Sequence, residues 1–384
     1  MLRMKHVYFD HAATTPLDKD VLEKMLPYFC EEYGNADSPH AVGRRAIAKV
    51  DEARDRIALL LHAQSDEIYF TAGGTEADNW AIFNGAYAKK AEGRNRVVVS
   101  SIEHHAVLSA AKRLEKQGFE VEYLPVNAQG IVEEDALEKY VNENTALVAL
   151  MAANNETGAL QPVDFACKVA HQNGALFFTD CVQAVAYLPI DVQKIKVDML
   201  SFSAHKIYGP KGVGVLYVRN KTKITPLISG GEQERGMRGG TTNVPGVVGM
   251  AKAFENATRE QAENNAKLKK LRALFIDEIS SIPGVHYNTP LENAVPSVVN
   301  VRFDDVENTA FLYNMDLRGF CVSAGSACAS ASIKPSHVLT AMGLTDKQAK
   351  ESVRFSFGKN NTEEEIRLGV KAVKEIVEKI RQKK

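Results

Sequence analysis

Asp198-Met-Leu-Ser-Phe-Ser-Ala-His-Lys206 is followed at once by IYGPKGVG, residues 207–214. The apolar run reads as a buried strand that ends on Ser203, His205 and Lys206, and the glycines after it let a backbone approach another molecule closely. The same design recurs along the chain. EIYFTAGG (67–74) runs into Gly74-Thr75-Glu76, VVVSSIEHH (97–105) ends on Glu103-His104-His105, and ALVALMAANNETG (146–158) carries Asn154-Asn155-Glu156. ALFFTDCVQ (175–183) ends on Asp180-Cys181-Val182-Gln183, and GVGVLYVR (212–219) reads as a further strand. Between several of these lie helical patterns, as at 106–117 and 165–172, and Ala46, Ile47, Val50, Ala53, Ile57 and Leu60 recur at helical spacing. The alternation predicts an α/β fold with a mostly parallel sheet and helices on both faces. Ligands of such sheets bind beyond the carboxyl ends of the strands. Five polar strand ends therefore predict one shared site.

A chain of 384 residues is expected to divide into two domains. The pattern at 251–282 is a long polar-faced helix, and the boundary is placed within it. Residues 16–262 form the expected large domain; residues 1–15 and 263–384 form a smaller α+β domain. In the latter, PSVVNVRF (296–303) and GFCVS (319–323) read as strands. A final helix opens at Thr362 with Glu365 as its capping box, and buries Ile366, Val370, Val373, Val377 and Ile380.

With 47 basic and 48 acidic side chains, the net charge of -1 gives no general pull toward nucleic acid or anionic membrane. The first residues lack the apolar core of a signal peptide, and no apolar run is long enough to span a bilayer, so a cytoplasmic location is expected. Five cysteines, without a CxxC pair, argue for a reduced protein and give no sign of a structural zinc site.

Gly73-Gly74-Thr75 stands between a strand and a helix. It suits a phosphate held by free amide groups and a hydroxyl, or merely a turn. Lys206 is either a surface lysine or an amine placed to form a Schiff base. Asp180, after four apolar residues, either caps the next helix or faces a cation such as a protonated pyridine nitrogen. Gln183 could donate to a phenolic oxygen on such a ring. His104 and His105 read as adjacent strand residues on opposite faces, so they do not suit one metal. One of them could stack on a planar cofactor; a structural histidine is the alternative.

Taken together, YFDHAATTPLD, GNADSPH, FTAGGTEADNWAI, EHHAVL, NNETGALQPV, TDCVQA, SAHKIYGPKGVG, MRGGTTN, SAGSACASAS and VRFSFGKNNTEEEI span residues 8–366. In these motifs the chain resembles the IscS/NifS-type cysteine desulfurases, fold-type I pyridoxal-phosphate (PLP) enzymes of the class-V aminotransferase group. The resemblance implies conversion of L-cysteine to L-alanine, with the sulfur kept as a persulfide on Cys328. It implies that Lys206 carries PLP, Asp180 pairs with the pyridinium nitrogen and His104 stacks on the ring and moves protons. Gln183 would contact the phenolic oxygen. Gly74, Thr75, Ser203 and His205 would hold the phosphate, with Thr241 reaching the phosphate of the other subunit in a homodimer. Asn155 and Arg354 would bind the substrate carboxylate.

The implied partners are sulfur acceptors, such as an Fe–S scaffold or a tRNA-thiolation enzyme. Ala36-Asp37 stand where relatives have Pro-Ser, and the sequence stops at Lys384, where many IscS proteins continue with a scaffold-docking tail. The competing readings are a selenocysteine lyase or another class-V PLP enzyme, a non-catalytic sulfur carrier, and a His104/His105/Cys328 metal hydrolase. An aminotransferase would not need Cys328, and a carrier would not need Lys206, Asp180 and His104 together.

Overall fold

The computed structural model describes residues 6–325 and 335–383. A short strand, β1 (Val7–Tyr8), precedes the main sheet. That sheet contains β2 (Ile68–Thr71), β3 (Arg96–Ser100), β4 (Glu120–Leu124), β5 (Thr145–Ala149), β6 (Leu176–Asp180), β7 (Met199–Ser203) and β8 (Gly214–Val218). Their spatial order is β2-β8-β7-β6-β5-β3-β4. Neighbours run parallel except at β8, which is antiparallel to both β2 and β7. The expected mostly parallel α/β sheet is thus present.

Both faces of this sheet are covered, which is why β5, β7 and β8 are buried at every residue. Val98 and Val148 join the core that also takes in the helices Ala41–Leu61 and Val163–Gln172. Their neighbours Val97, Val99, Leu147 and Ala149 face the helices Gly74–Ala88 and His105–Lys116. Successive side chains of a strand point to opposite faces, so a continuous apolar run feeds both layers.

The strands end earlier than the apolar runs suggest. β3 stops at Ser100, and His104 caps the helix His105–Lys116 instead of standing on a strand. The expectation that His104 and His105 point to opposite strand faces is therefore corrected. Residues beyond Ser100 leave the ladder because the Glu103 carboxylate accepts from Ser100 Oγ and from the Met151 amide, which turns the chain.

A second core gathers Phe9, Phe275, Phe303, Phe311, Phe355 and Phe357. Around it lie the antiparallel strands β9 (Val285–Tyr287), β10 (Val298–Phe303) and β12 (Ser352–Ser356), while β11 (Phe320–Cys321) pairs in parallel with β1. The helix Glu363–Arg381 closes this unit, with the Thr362–Glu365 capping box formed. One helix, Val244–Ile279, serves both cores: Val247 and Phe254 enter the first, Leu268 and Phe275 the second. It begins seven residues before the apolar pattern at 251. Pro245 is tolerated in its first turn. Gly249 lets this helix pack closely, since a Cβ there would stand 2.5 Å from Met25 Sδ. Among the described residues no helix is long and apolar enough to cross a membrane.

Candidate active site

A cavity of about 980 Å³ opens beyond the carboxyl ends of β2, β6 and β7. Its walls include Gly74, Thr75, His104, Asn155, Asp180, Gln183, Ser203, His205, Lys206 and Arg354. Of the expected site residues that the structure describes, Thr241 alone is not on that wall. Thr241 is exposed and lines a neighbouring cavity of about 230 Å³. Cys328 lies outside the described residues.

Lys206 follows β7 in a single 3₁₀ turn, and its amine donates to the carbonyls of Ala12 and Ala13, the latter at 2.7 Å. Gln183 Nε2 also donates to Ala12 O, at 2.9 Å. The DHAATT segment is thereby drawn over the strand ends. Thr15 reinforces this: its amide and hydroxyl both donate to His205 O at 2.9 Å. His205 Nδ1 is 3.1 Å from Thr14 Oγ1.

Asp180 ends β6 and is 4% exposed. Its Oδ1 accepts from the Val182 amide at 2.8 Å, a local turn rather than a helix cap. Burial pushes its carboxyl up to about 6, against the lowering effects of that hydrogen bond and of Lys206. A carboxylate so deprived of water is stabilised by a cation. Asp78, one turn into the helix Gly74–Ala88, lies on the same wall and is 1% exposed. Its Oδ1 accepts from Ser201 Oγ at 2.5 Å, and Ser201 is the strand partner of Asp180. Burial and then the Asp180 charge push the Asp78 carboxyl well up. Asp78 was not picked out from the sequence. The available signal was an acid within a helix buried nearly all round.

The helix Gly74–Ala88 begins at the cavity, and its N-cap, Gly73, supplies no side-chain bond to the first amides. Gly73 holds φ +151, a conformation that a side chain would strain. His104 Nδ1 accepts from the Ala106 amide at 3.2 Å. Burial, Lys206 and the neighbouring histidines lower its pKa to about 4, so the imidazole is neutral near pH 7.

Asn155 is positioned by Asn154, whose side chain accepts from the Glu156 and Thr157 amides and donates to Ile102 O. Arg354, on β12, is 1% exposed. Its Nη1 donates to Asn155 O at 2.7 Å and its Nη2 to Asp10 Oδ1 at 2.8 Å, while Nε is buried without a partner. Residues of both cores' units thus meet at this wall of the cavity. Asp10, which orients this guanidinium, also escaped the sequence reading.

An amine, a buried acid, a neutral imidazole and an uncapped helix start around one cavity define a PLP-dependent transferase of fold-type I. The sequence matches the family model for class-V aminotransferases over residues 7–368. The chain belongs to that family and, within it, to the cysteine desulfurases of the IscS/NifS type. It is 46% identical over 377 residues to the cysteine desulfurase IscS of Methanosarcina thermophila, covering 98% of this chain and 93% of the relative. It is 45% identical over 378 residues to the IscS of Dictyoglomus turgidum, with 98% and 96% covered. A solved NifS-like protein superposes with TM-score 0.92 at 39% identity, covering 97% of this chain and 99% of that one. A structure described as SspA in complex with cysteine superposes with TM-score 0.80 at 36% identity, covering 92% and 99%.

The residues present fit PLP. Asp180 offers the acid that a pyridinium nitrogen needs, Lys206 the amine, and Gly74-Thr75 the uncapped helix start that a phosphate needs.

Proposed function

We propose that the cavity removes sulfur from L-cysteine, leaving L-alanine and a persulfide on Cys328. The observation that carries this reading is the shared wall of Lys206, Asp180, His104 and the buried Arg354. A relative solved with cysteine bound supports the substrate class. Bound PLP supplies an electrophilic aldehyde and a ring that accepts electron density.

Each residue has a distinct task. Asp180 holds its negative charge against the ring nitrogen. Gly74, Thr75, Ser203 and His205 anchor the phosphate, and Gln183 the phenolic oxygen. Arg354 and Asn155 hold the substrate carboxylate, for which a planar guanidinium is suited. Lys206 would hold the cofactor through its amine and would move the Cα proton of the substrate. His104, neutral near pH 7, would stack on the ring and relay protons beside it without holding them. The Cys328 thiolate attacks the substrate sulfur. An S–S bond forms, the C–S bond breaks, and the carbon takes up a proton to leave as alanine.

The chain is further read as a homodimer in the cytoplasm, with Thr241 serving the partner's phosphate. Its persulfide would pass to an Fe–S scaffold or a tRNA-thiolation enzyme. The domain division is read at 262/263, with residues 1–15 joining the C-terminal unit. The second apolar core, built from Phe9 and residues between Leu268 and Val377, supports that division.

The test is to supply labelled cysteine and follow alanine and protein-bound persulfide together. The expected result is one alanine per sulfur transferred, with persulfide absent in Cys328→Ser although PLP absorbance is retained. Alanine production without Lys206, or persulfide formation without Cys328, overturns the assignment.

A further inference from the structure

We propose that His6, Asp316 and Cys321 form a binding site for one divalent cation of the zinc type, outside the cavity described above. One ligand atom from each side chain lies within 4.8 Å of the other two. Zinc takes nitrogen, oxygen and sulfur ligands at about 2.0–2.3 Å, so the ligand atoms of a tetrahedral site stand roughly 3.5 Å apart. Closing the gap takes about an ångström of rotamer adjustment. His6 and Asp316 are exposed and Cys321 is half-buried, so they have that freedom.

The backbone already holds the three in place. Val7 pairs with Phe320 and Tyr8 with Cys321 across β1 and β11. The Val7 amide donates to Gly319 O at 2.8 Å, and the Gly319 amide to Asp316 O at 2.8 Å. His6 therefore enters just before one strand, Cys321 sits on its partner, and Asp316 lies in the last turn of the helix Asn308–Leu317 that leads into it.

The chemistry favours a borderline-soft ion. A thiolate excludes a preference for magnesium or calcium, and imidazole plus carboxylate complete a three-ligand set with a fourth position for water. Among the described residues, none of the three side chains makes a hydrogen bond or ion pair elsewhere. Asp316 stands in the last turn of its helix, where the dipole disfavours a negative charge and a cation offsets it.

Its position also links it to the substrate end. β1 continues to Asp10, which pairs with Arg354 at 2.8 Å. β11 continues to Ser323, whose amide donates to Arg354 O at 3.2 Å and whose carbonyl accepts from the Arg354 amide at 2.6 Å. An ion across the start of both strands braces the pair on which Arg354 rests.

The experiment uses the PLP-loaded protein carrying Cys328→Ser, which removes the reactive thiol as a competing ligand. After chelator treatment it is titrated with zinc against a chromophoric indicator. The expected result is one zinc per chain, with affinity falling at least tenfold in both His6→Ala and Cys321→Ser. X-ray absorption on the zinc-loaded protein should show one sulfur at about 2.3 Å with the remaining ligands nitrogen or oxygen. That second measurement needs no variant at the site itself. Absence of stoichiometric zinc, an affinity unmoved by Cys321→Ser, or a shell without sulfur overturns the proposal.

Discussion

Arg354 donates through Nη2 to Asp10 Oδ1 across 2.8 Å, tying the last strand of the small sheet to a residue two places beyond β1. The guanidinium is almost fully buried, so Asp10 is the charge that keeps it in place.

Replacing Asp10 with alanine strands that buried guanidinium. Breaking a buried pair from one side costs about 3–5 kcal/mol. Urea denaturation should show a loss of that order. Steady-state kinetics should show a raised KM for cysteine rather than a mainly lowered kcat. An unchanged denaturation midpoint would dismiss the anchoring role of Asp10.

Asp78 separates charge from hydrogen bonding. Its carboxyl is held well up by burial and Asp180, which favours the protonated form. Asp78→Asn should therefore change stability by less than about 1 kcal/mol. Asp78→Ala leaves the Ser201 hydroxyl without its acceptor and should cost about 1–3 kcal/mol. Equal losses in the two variants would show that the ionised form matters.

Three imidazoles, His11, His104 and His205, are each lowered to about 4, chiefly by burial. An unfolded histidine titrates near 6.5. Between these values the unfolded chain binds more protons, so stability is full above pH 6.5 and is lost as pH falls toward 4. Denaturation at pH 7 and pH 5 should differ by about 1–2 kcal/mol per imidazole. His11→Asn, away from the cavity wall, should shrink the difference by one such share. A variant with an undiminished pH slope would speak against His11 as a buried neutral group.

Thr241 lies outside its own chain's main cavity. If it serves a partner's phosphate, Thr241→Ala should weaken PLP binding roughly tenfold or more, since a hydrogen bond to a charged group contributes about 1.5–3 kcal/mol. Fluorescence titration of the apoprotein with PLP reads this directly. Wild-type affinity in the variant would remove Thr241 from the phosphate site.

Much of the site was legible because polar residues at the ends of apolar runs are local facts. Ser203, His205 and Lys206 after β7, and Asp180 and Gln183 after β6, needed only the pattern and the rule that parallel strands share a binding edge. Arg354 was harder. Its neighbours in sequence could as well have made a surface ion pair, and its burial depends on Asp10, which is 344 residues away. Asp78 was hidden for a similar reason, as its partner Ser201 is 123 residues off. His104 was misplaced on a strand because Glu103 ends the ladder through Met151, a contact invisible to periodicity.

By itself, then, the sequence determined the alternating βα architecture, the polar strand ends and the inventory of amine, acid, imidazole and thiol. These follow from side-chain period and residue chemistry, which act over a few neighbours. Only the tertiary structure decided which groups lose their water and which are neighbours. It brought Asp78 beside Ser201, Arg354 onto Asp10, and His6 to Asp316 and Cys321. Desolvation and Coulomb energy depend on distance in space, and the folded chain sets that distance through contacts no local window contains.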